Sequence, residues 1–224
     1  NLEREDLDNF ALQSHLRAAA ATKADYFSKE ILPLQGKNEN GNDSMVIHDE
    51  GIRYDASLEA LAGLKTVSEG GVITAGNASQ ITDGASAIMV CNEEGLKKIT
   101  ADPKALIKTI TVVGDDPVYM LTGPIPASKL ALRKANLSIN DIDLYEVNEA
   151  FAPVPLAWAA ELDADKDKLN VNGGAIALGH PLGATGTKLM TTLVHELERR
   201  KGKYALQAIC EGGGTANATI IERL

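Results

Sequence analysis

A chain of 224 residues can bury a sizeable core and hold one domain or two. With 31 acidic against 22 basic side chains, a net charge of −9 argues against nucleic acid or an anionic membrane as partner. The two cysteines, Cys91 and Cys210, lie far apart without CxxC spacing, which excludes a disulfide framework and a zinc site as organising principles. No apolar run reaches membrane-spanning length and no signal peptide is visible, so a reducing, cytoplasmic setting is expected.

Taken in order, residues 4–30 read as an alanine-rich helix with Leu7, Phe10, Ala11 and Ser14 on one face. Residues 34–50 turn to Gly, Asn, Asp and Lys, a solvated connection. Leu58, Leu61 and Leu64 mark a short amphipathic segment. A strand around Val72 breaks into small residues by Ser79, Ala85 to Val90 reads as a buried strand, and Glu93 to Ile99 as a helix. Asp102-Pro103 is the best domain boundary.

Beyond it, Ile107 to Val113 is β-branched and strand-like. Gly123-Pro124 opens a helix running to about Ala135, with proline in its first turn. Ile142 to Val147 is a strand ending at Asn148-Glu149, and Ala150 to Leu162 a largely apolar helix. A strand at residues 168–171 enters a loop with five glycines between Asn172 and Gly186. The helix that leaves it carries Leu189, Met190, Leu193, Val194 and Leu197 on one face and stops at Gly202. Ala205 to Cys210 is a nearly continuous apolar strand, followed by Gly212-Gly213-Gly214 and a last strand from Ala216 to Ile221. The order β-α-β-α-β-α-β-β implies an α/β fold with a sheet covered on its faces.

Three polar groups fall at strand ends or helix starts: Asn148, His180 and Cys210. Ligands gather at the carboxyl ends of strands in α/β units. A histidine ahead of a helix N-terminus is held neutral and can donate to a developing anion. A thiol as nucleophile or proton carrier, an imidazole as donor or base, and a carboxamide with loop N–H groups suit acyl chemistry. Each has a plainer explanation. A lone cysteine is usually a small core hydrophobe, Asn148-Glu149 could cap the next helix, and His180 before Pro181 could only form a turn. The glycine loop could cradle a phosphate, although neither GxGxxG nor the lysine of a phosphate-binding loop is present. His195-Glu196, His15 and His48 read as ordinary surface.

The blocks Val147-Asn148-Glu149-Ala150-Phe151-Ala152, Asn170 through Gly186, and Cys210-Glu211-Gly212-Gly213-Gly214 resemble, in order and separation, the three signatures of the thiolases. Those enzymes are acetyl-CoA acetyltransferases and 3-ketoacyl-CoA thiolases. The resemblance extends over the chain, including Ala75 to Ser79 and Gly123 to Ala127. It implies a layered α-β-α-β-α architecture, with one complete βαβαβαββ core domain and part of a second. Residues 1–72 would be the remainder of a CoA-binding loop domain, 73–104 the end of the N-terminal core and 105–224 the C-terminal core.

Residue by residue, the resemblance makes Cys210 the acid/base that moves the substrate α-proton. His180 becomes the donor to the thioester oxygen and helper of the nucleophile, Asn148 the holder of an oxyanion-hole water, and the Gly212 N–H part of a second hole. Ser79 and Ala75, with Ala150, Phe151 and Met120, would line the pantetheine tunnel, and Lys65 would lie near the CoA nucleotide. Acyl-CoA and CoA are then substrates with no permanently bound cofactor and no metal, and the intact enzyme a homo-oligomer, dimer or tetramer. For the thiol to act as base its pKa must fall, and nearby N–H groups with a polarised imidazole would lower it.

The acyl-accepting cysteine of thiolases belongs to a first half that this sequence does not show, and Cys91 has none of that cysteine's motif around it. The expectation is therefore a thiolase C-terminal portion, inactive in thiolysis alone. The alternatives are a non-catalytic acyl-CoA-binding or assembly subunit that needs a partner chain, and a nucleotide-binding domain.

Overall fold

The computed structural model describes residues 2–38 and 40–224; position 39, inside the 34–50 connection, lies outside the described residues. Helix α1 spans Arg4–Lys23. Glu3 and Asp6 form a reciprocal cap at its start, and Leu7, Ala11, Ala18 and Ala21 lie on its buried stripe with Asp8, Ser14 and His15. It ends seven residues before the predicted Glu30, in turns that place Asp25 at φ 61°. The predicted featureless connection is instead a hairpin of β1 (Leu34–Lys37) and β2 (Asp43–Val46), mostly exposed as its polar composition requires.

Helix α2 (Leu58–Ala62) is capped by the Ser57 hydroxyl, and α3 (Glu93–Leu96) by the Asn92 carboxamide. Between them the strands predicted near 72 and at 85–90 are absent. Residues 72–79 form turns with isolated bridges, Thr66 to Thr74 and Ala78 to Phe151. Ile88, Met89 and Val90 are exposed where a buried strand was expected. An apolar run becomes a strand only when a neighbouring edge takes up its backbone groups, and no strand of the described residues pairs with this one.

The remainder forms one four-stranded sheet in the order β3-β6-β5-β4. β3 (Ala105–Gly114) pairs antiparallel with β6 (Thr215–Arg223), β6 antiparallel with β5 (Tyr204–Glu211), and β5 parallel with β4 (Leu144–Val147). α4 (Pro124–Ala135) and α5 (Pro153–Leu162) cover one face; there Trp158 packs on Tyr145 with ring centroids 5.3 Å apart, among Leu206, Ala208 and Ile220. After the one-turn α6 (Ala175–Leu178), α7 (Thr185–Arg200) covers the other face, setting Met190, Leu193 and Leu197 against Leu144, Ala205 and Ile221.

The expected strand at 168–171 is reduced to a parallel bridge from Leu169 to Tyr145 beside β4. Asn170, at φ 46°, takes over from there with its side chain. Its carbonyl oxygen accepts the Val147 N–H and its amide donates to the Val147 carbonyl, each at 2.9 Å, so a carboxamide completes the ladder where backbone would. One complete layered unit is therefore present, and the segment 73–104 contributes a helix and bridges but no second sheet. No helix of the described residues is long and apolar enough to cross a membrane.

Candidate active site

β4 and β5 run parallel, so their C-terminal ends lie side by side. The Asn148 N–H continues the ladder to the Ala208 carbonyl at 3.0 Å, two residues before Cys210 on the adjacent strand. His180 comes to this edge from the other direction. α6 ends at Gly179, whose φ of 83° and ψ of 163° suit glycine alone; a Cβ there would lie 2.4 Å from the Thr82 hydroxyl. The His180 N–H then donates to the Gln80 carbonyl at 3.1 Å.

The Asn148 Nδ2 lies 3.3 Å from His180 Nε2, and the other ring nitrogen, Nδ1, is 2.6 Å from the Thr185 hydroxyl in the first turn of α7. That hydroxyl gives its own proton to the Pro181 carbonyl at 3.0 Å. It is therefore an acceptor toward His180, which assigns the ring proton to Nδ1 and leaves the Nε2 lone pair toward Asn148. Burial holds the His180 pKa below its ordinary value, so the neutral ring stands here. Asn148 is 1% exposed, and its Oδ1 is buried without a hydrogen-bond partner in the protein. A native buried acceptor left unpaired in this way points to a ligand or solvent donor.

Cys210 is buried in the cluster that includes Val147, Val154 and Ala216, with Ala150 and Phe151 packed against it. Burial pushes its thiol up; its own backbone amide opposes the rise and the Glu211 carboxylate adds to it. The lowering expected from surrounding N–H groups does not prevail, and the protonated thiol is the resting form. Gly212 lies exposed just beyond the strand; Gly214 is buried, with the Asp115 and Asp116 carbonyls within 3.0 Å of where a Cβ would stand. The same loop carries half-buried Met120 at φ 54°.

Ser79 donates its N–H to the Ala150 carbonyl at 3.0 Å, which joins it to the Ala150–Phe151 part of the site. Ala75 is exposed at a turn, and beside it Gly76 packs on Leu61 and Leu64, which precede exposed Lys65. Ser79, Ala150 and Phe151 are thus joined by that hydrogen bond and the adjoining Ala78–Phe151 bridge, while Ala75 and Lys65 lie at the surface. Next to His180 a hollow of about 400 Å³ opens between Thr82–Ser86 and Pro181–Ala184; Cys210 is not in its lining. The exposed Cys91 is joined to none of these groups by a hydrogen bond.

Several supporting residues escaped the sequence reading. Glu149 does not cap α5. Its buried carboxylate accepts from Asn170 Nδ2 at 2.9 Å, Ser14 Oγ at 2.7 Å and the Ile176 N–H at 3.0 Å. Burial pushes its pKa up against those bonds and against Arg17. Gly174 is required beside it, since a Cβ would lie 2.3 Å from the Glu149 carboxyl carbon. Glu196 and His15, read as surface, are buried. Asn172, Arg199 and Arg200 bond the Glu196 carboxylate, and His15 Nδ1 accepts the Arg53 N–H. The signal available was a charged residue between an apolar strand and an apolar helix. No group of three or more potential metal ligands occurs among the described residues.

Comparison with known proteins adds the following. The family model "Thiolase, C-terminal domain" matches residues 101–223, and "Thiolase, N-terminal domain" matches residues 1–94. A steroid 3-ketoacyl-CoA thiolase of Mycobacterium tuberculosis is 54% identical over 224 residues, covering 100% of this chain and 54% of that protein. The crystal structure of human mitochondrial 3-ketoacyl-CoA thiolase superposes with a TM-score of 0.92 at 46% identity, covering 100% of this chain and 56% of that one. The same human enzyme in complex with CoA gives a TM-score of 0.91 over 55% of its chain. The chain spans about half the length of the curated relatives it matches.

Proposed function

This chain belongs to the thiolase family, and on that premise we propose that it supplies the proton-transfer and oxyanion-binding machinery of an acyl-CoA acyltransferase. The reaction is thiolytic cleavage of a 3-ketoacyl-CoA or the reverse Claisen condensation of acetyl units. The observation that carries the reading is the Asn148–His180 contact at the shared C-terminal edge of β4 and β5, one strand from Cys210, with the Asn148 carbonyl oxygen unpaired.

In the condensing direction Cys210, as thiolate, takes the α-proton of a thioester, forming an enolate and a thiol; in the cleaving direction the thiol returns that proton to the departing carbanion. The raised Cys210 pKa favours the thiol, suited to the donating step. Charge builds on the thioester oxygen in either direction. A water held by Asn148 faces that oxygen in one hole, joined by the His180 ring once Nε2 carries a proton, and the Gly212 N–H serves the other. Removing one such donor typically costs about 10²–10³ in rate. His180 Nε2, unprotonated at rest, takes a proton from an attacking thiol and afterwards donates as imidazolium.

Ser79, Ala75, Ala150, Phe151, Met120 and Lys65 are assigned to the pantetheine and nucleotide of CoA; the solved CoA complex of a structural neighbour supports CoA as the ligand. The separate family-model matches support the division of the chain near residue 104. Exposed Ile110 and Val112 on β3, with Ile88 to Val90, support association into a homo-oligomer.

The test is deuterium incorporation from D₂O into the methyl group of acetyl-CoA, followed by mass spectrometry alongside CoA binding by calorimetry. Incorporation that Cys210→Ala abolishes is the expected result. CoA binding without any incorporation would instead establish an acyl-CoA-binding subunit, and absence of both would overturn the assignment.

A further inference from the structure

A helix of one turn cannot satisfy its own last carbonyls, so whatever does so fixes where the helix points. α6 precedes His180 by a single glycine. At its C-terminal end the Ile176 and Ala177 carbonyls accept the Gln80 carboxamide at 2.8 and 3.4 Å, and the Leu178 carbonyl accepts the Lys188 ammonium at 3.2 Å. The same Gln80 amide nitrogen donates to the Gly51 carbonyl at 2.7 Å, which ties α6 to a third segment. The Gln80 backbone binds on either side of the helix end, its N–H to the Ala175 carbonyl at 3.4 Å and its carbonyl to the His180 N–H at 3.1 Å. Lys188 is held from the far side by Asp49 at 3.7 Å. The Glu30 and Glu146 carboxyls also lie within its field.

We propose that Gln80 and Lys188 are positioning residues that hold the C-terminal carbonyls of α6 and thereby aim the His180 imidazole at Asn148. Neither side chain bonds the ring or its partners, so their effect passes through the backbone of residues 176–180. The inference rests on the assignment of His180 to the thioester oxygen. A displacement of about 1 Å at a reacting group can cost on the order of 10²-fold in rate. The Gln80 amide spans three carbonyls and is the larger contributor.

The test uses Gln80→Met and Lys188→Met, which keep an unbranched stem and remove the donor, with Lys188→Arg to restore one. Two readouts are taken on each protein. The first is the ¹⁵N spectrum of the His180 ring together with hydrogen exchange of its backbone amide, which needs no catalysis. The second is deuterium incorporation into acetyl-CoA at saturating and subsaturating concentration.

In Gln80→Met the ring is expected to leave its single Nδ1–H form and the amide to lose at least tenfold protection. Saturated exchange should fall about 10²-fold with the half-saturating concentration within twofold. Lys188→Met should show the same pattern at about tenfold, and Lys188→Arg should return within about threefold of the parent. Unchanged ring and amide signals in both methionine variants overturn the proposal, as does a loss confined to half-saturation. If the parent protein exchanges no deuterium, the functional reading fails, and the spectra alone still decide the clamp. If Gln80→Met does not fold, the Lys188 pair decides it.

Discussion

Asn170 offers the most direct test of how the site is held. It is 1% exposed and its side chain makes three hydrogen bonds at 2.9 Å, to the Val147 N–H, the Val147 carbonyl and the Glu149 carboxylate. Asn170→Ala takes their partner from all three groups in a place where water is largely excluded. Each buried group left unpaired costs about 1–3 kcal/mol, and alanine in the left-handed conformation held at φ 46° adds about 1 kcal/mol. With partial relaxation the sum is about 3–5 kcal/mol, a large share of the 5–15 kcal/mol typical of a folded domain. Asn170→Gly relieves only the backbone part and should recover about 1 kcal/mol of that loss.

Urea unfolding followed by the fluorescence of Trp158 reads this out, since the only tryptophan packs on Tyr145 in the strand that Asn170 completes. Asn170→Asp sharpens the result. Above the carboxylate range it sets a second anion against Glu149 and the Val147 carbonyl; once protonated it can donate to one of them. Its destabilisation should therefore grow as pH rises. An Asn170→Ala protein within 1 kcal/mol of the parent would refute the idea that this side chain substitutes for a strand.

Other expectations concern separate regions. Burial pushes the Glu30 carboxyl up to about 7, with the Thr192 hydroxyl, Lys188, Asp49 and Glu196 as the groups that face it. A folded-state pKa above the unfolded one stabilises the fold at pH below about 4.5, and that contribution is lost as pH rises through about 7, no faster than about 1.4 kcal/mol per pH unit. Unfolding midpoints between pH 5 and 8 should fall less in Glu30→Gln than in the parent; parallel curves would exclude the effect. Gly179→Ala should cost at least about 1–3 kcal/mol by chemical denaturation from its backbone conformation alone, and a neutral result would mean that the turn before His180 is mislaid. Ser128→Ala leaves the buried Trp158 indole N–H without the hydroxyl it donates to at 2.9 Å, a loss of about 1–3 kcal/mol measurable by thermal melts. Iodoacetamide at pH 8 should label exposed Cys91 well before buried Cys210, and equal labelling on a peptide map would contradict the raised thiol.

The sheet and its two covering layers were legible in the sequence because each depends on local pattern, whereas the pairing of Asn148 with His180 was suggested by the resemblance of their two signature blocks. Apolar periodicity marks α7, β-branched runs mark β3 and β6, and glycines mark the turns. What was missed depends on partners distant along the chain. Ala85 to Val90 has strand composition but no edge to pair with, while residues 168–171 had an edge and lost it to the Asn170 side chain. For Glu149 the sequence offered only a possible helix cap, because its partners Ser14 and Ile176 cannot be seen from position 149. The direction of the Cys210 shift was misjudged because the sequence displays the glycines after it and not the apolar cluster around its sulfur.

The anchoring of the His180 loop also draws together parts of the chain that lie far apart in sequence. Ser14 and Glu149 are 135 residues apart and Ser14 and Gly174 are 160 apart, whereas the hairpin of β5 and β6 closes through a short turn. Each doubling of loop length adds only about 0.6 kcal/mol to the cost of closure, so contacts of this span cost little more than shorter ones. A substitution in the first helix can therefore disturb the loop before His180 although no residue of that helix bonds the ring, since loss of the Ser14 hydroxyl would reach it through Gly174 and Glu149.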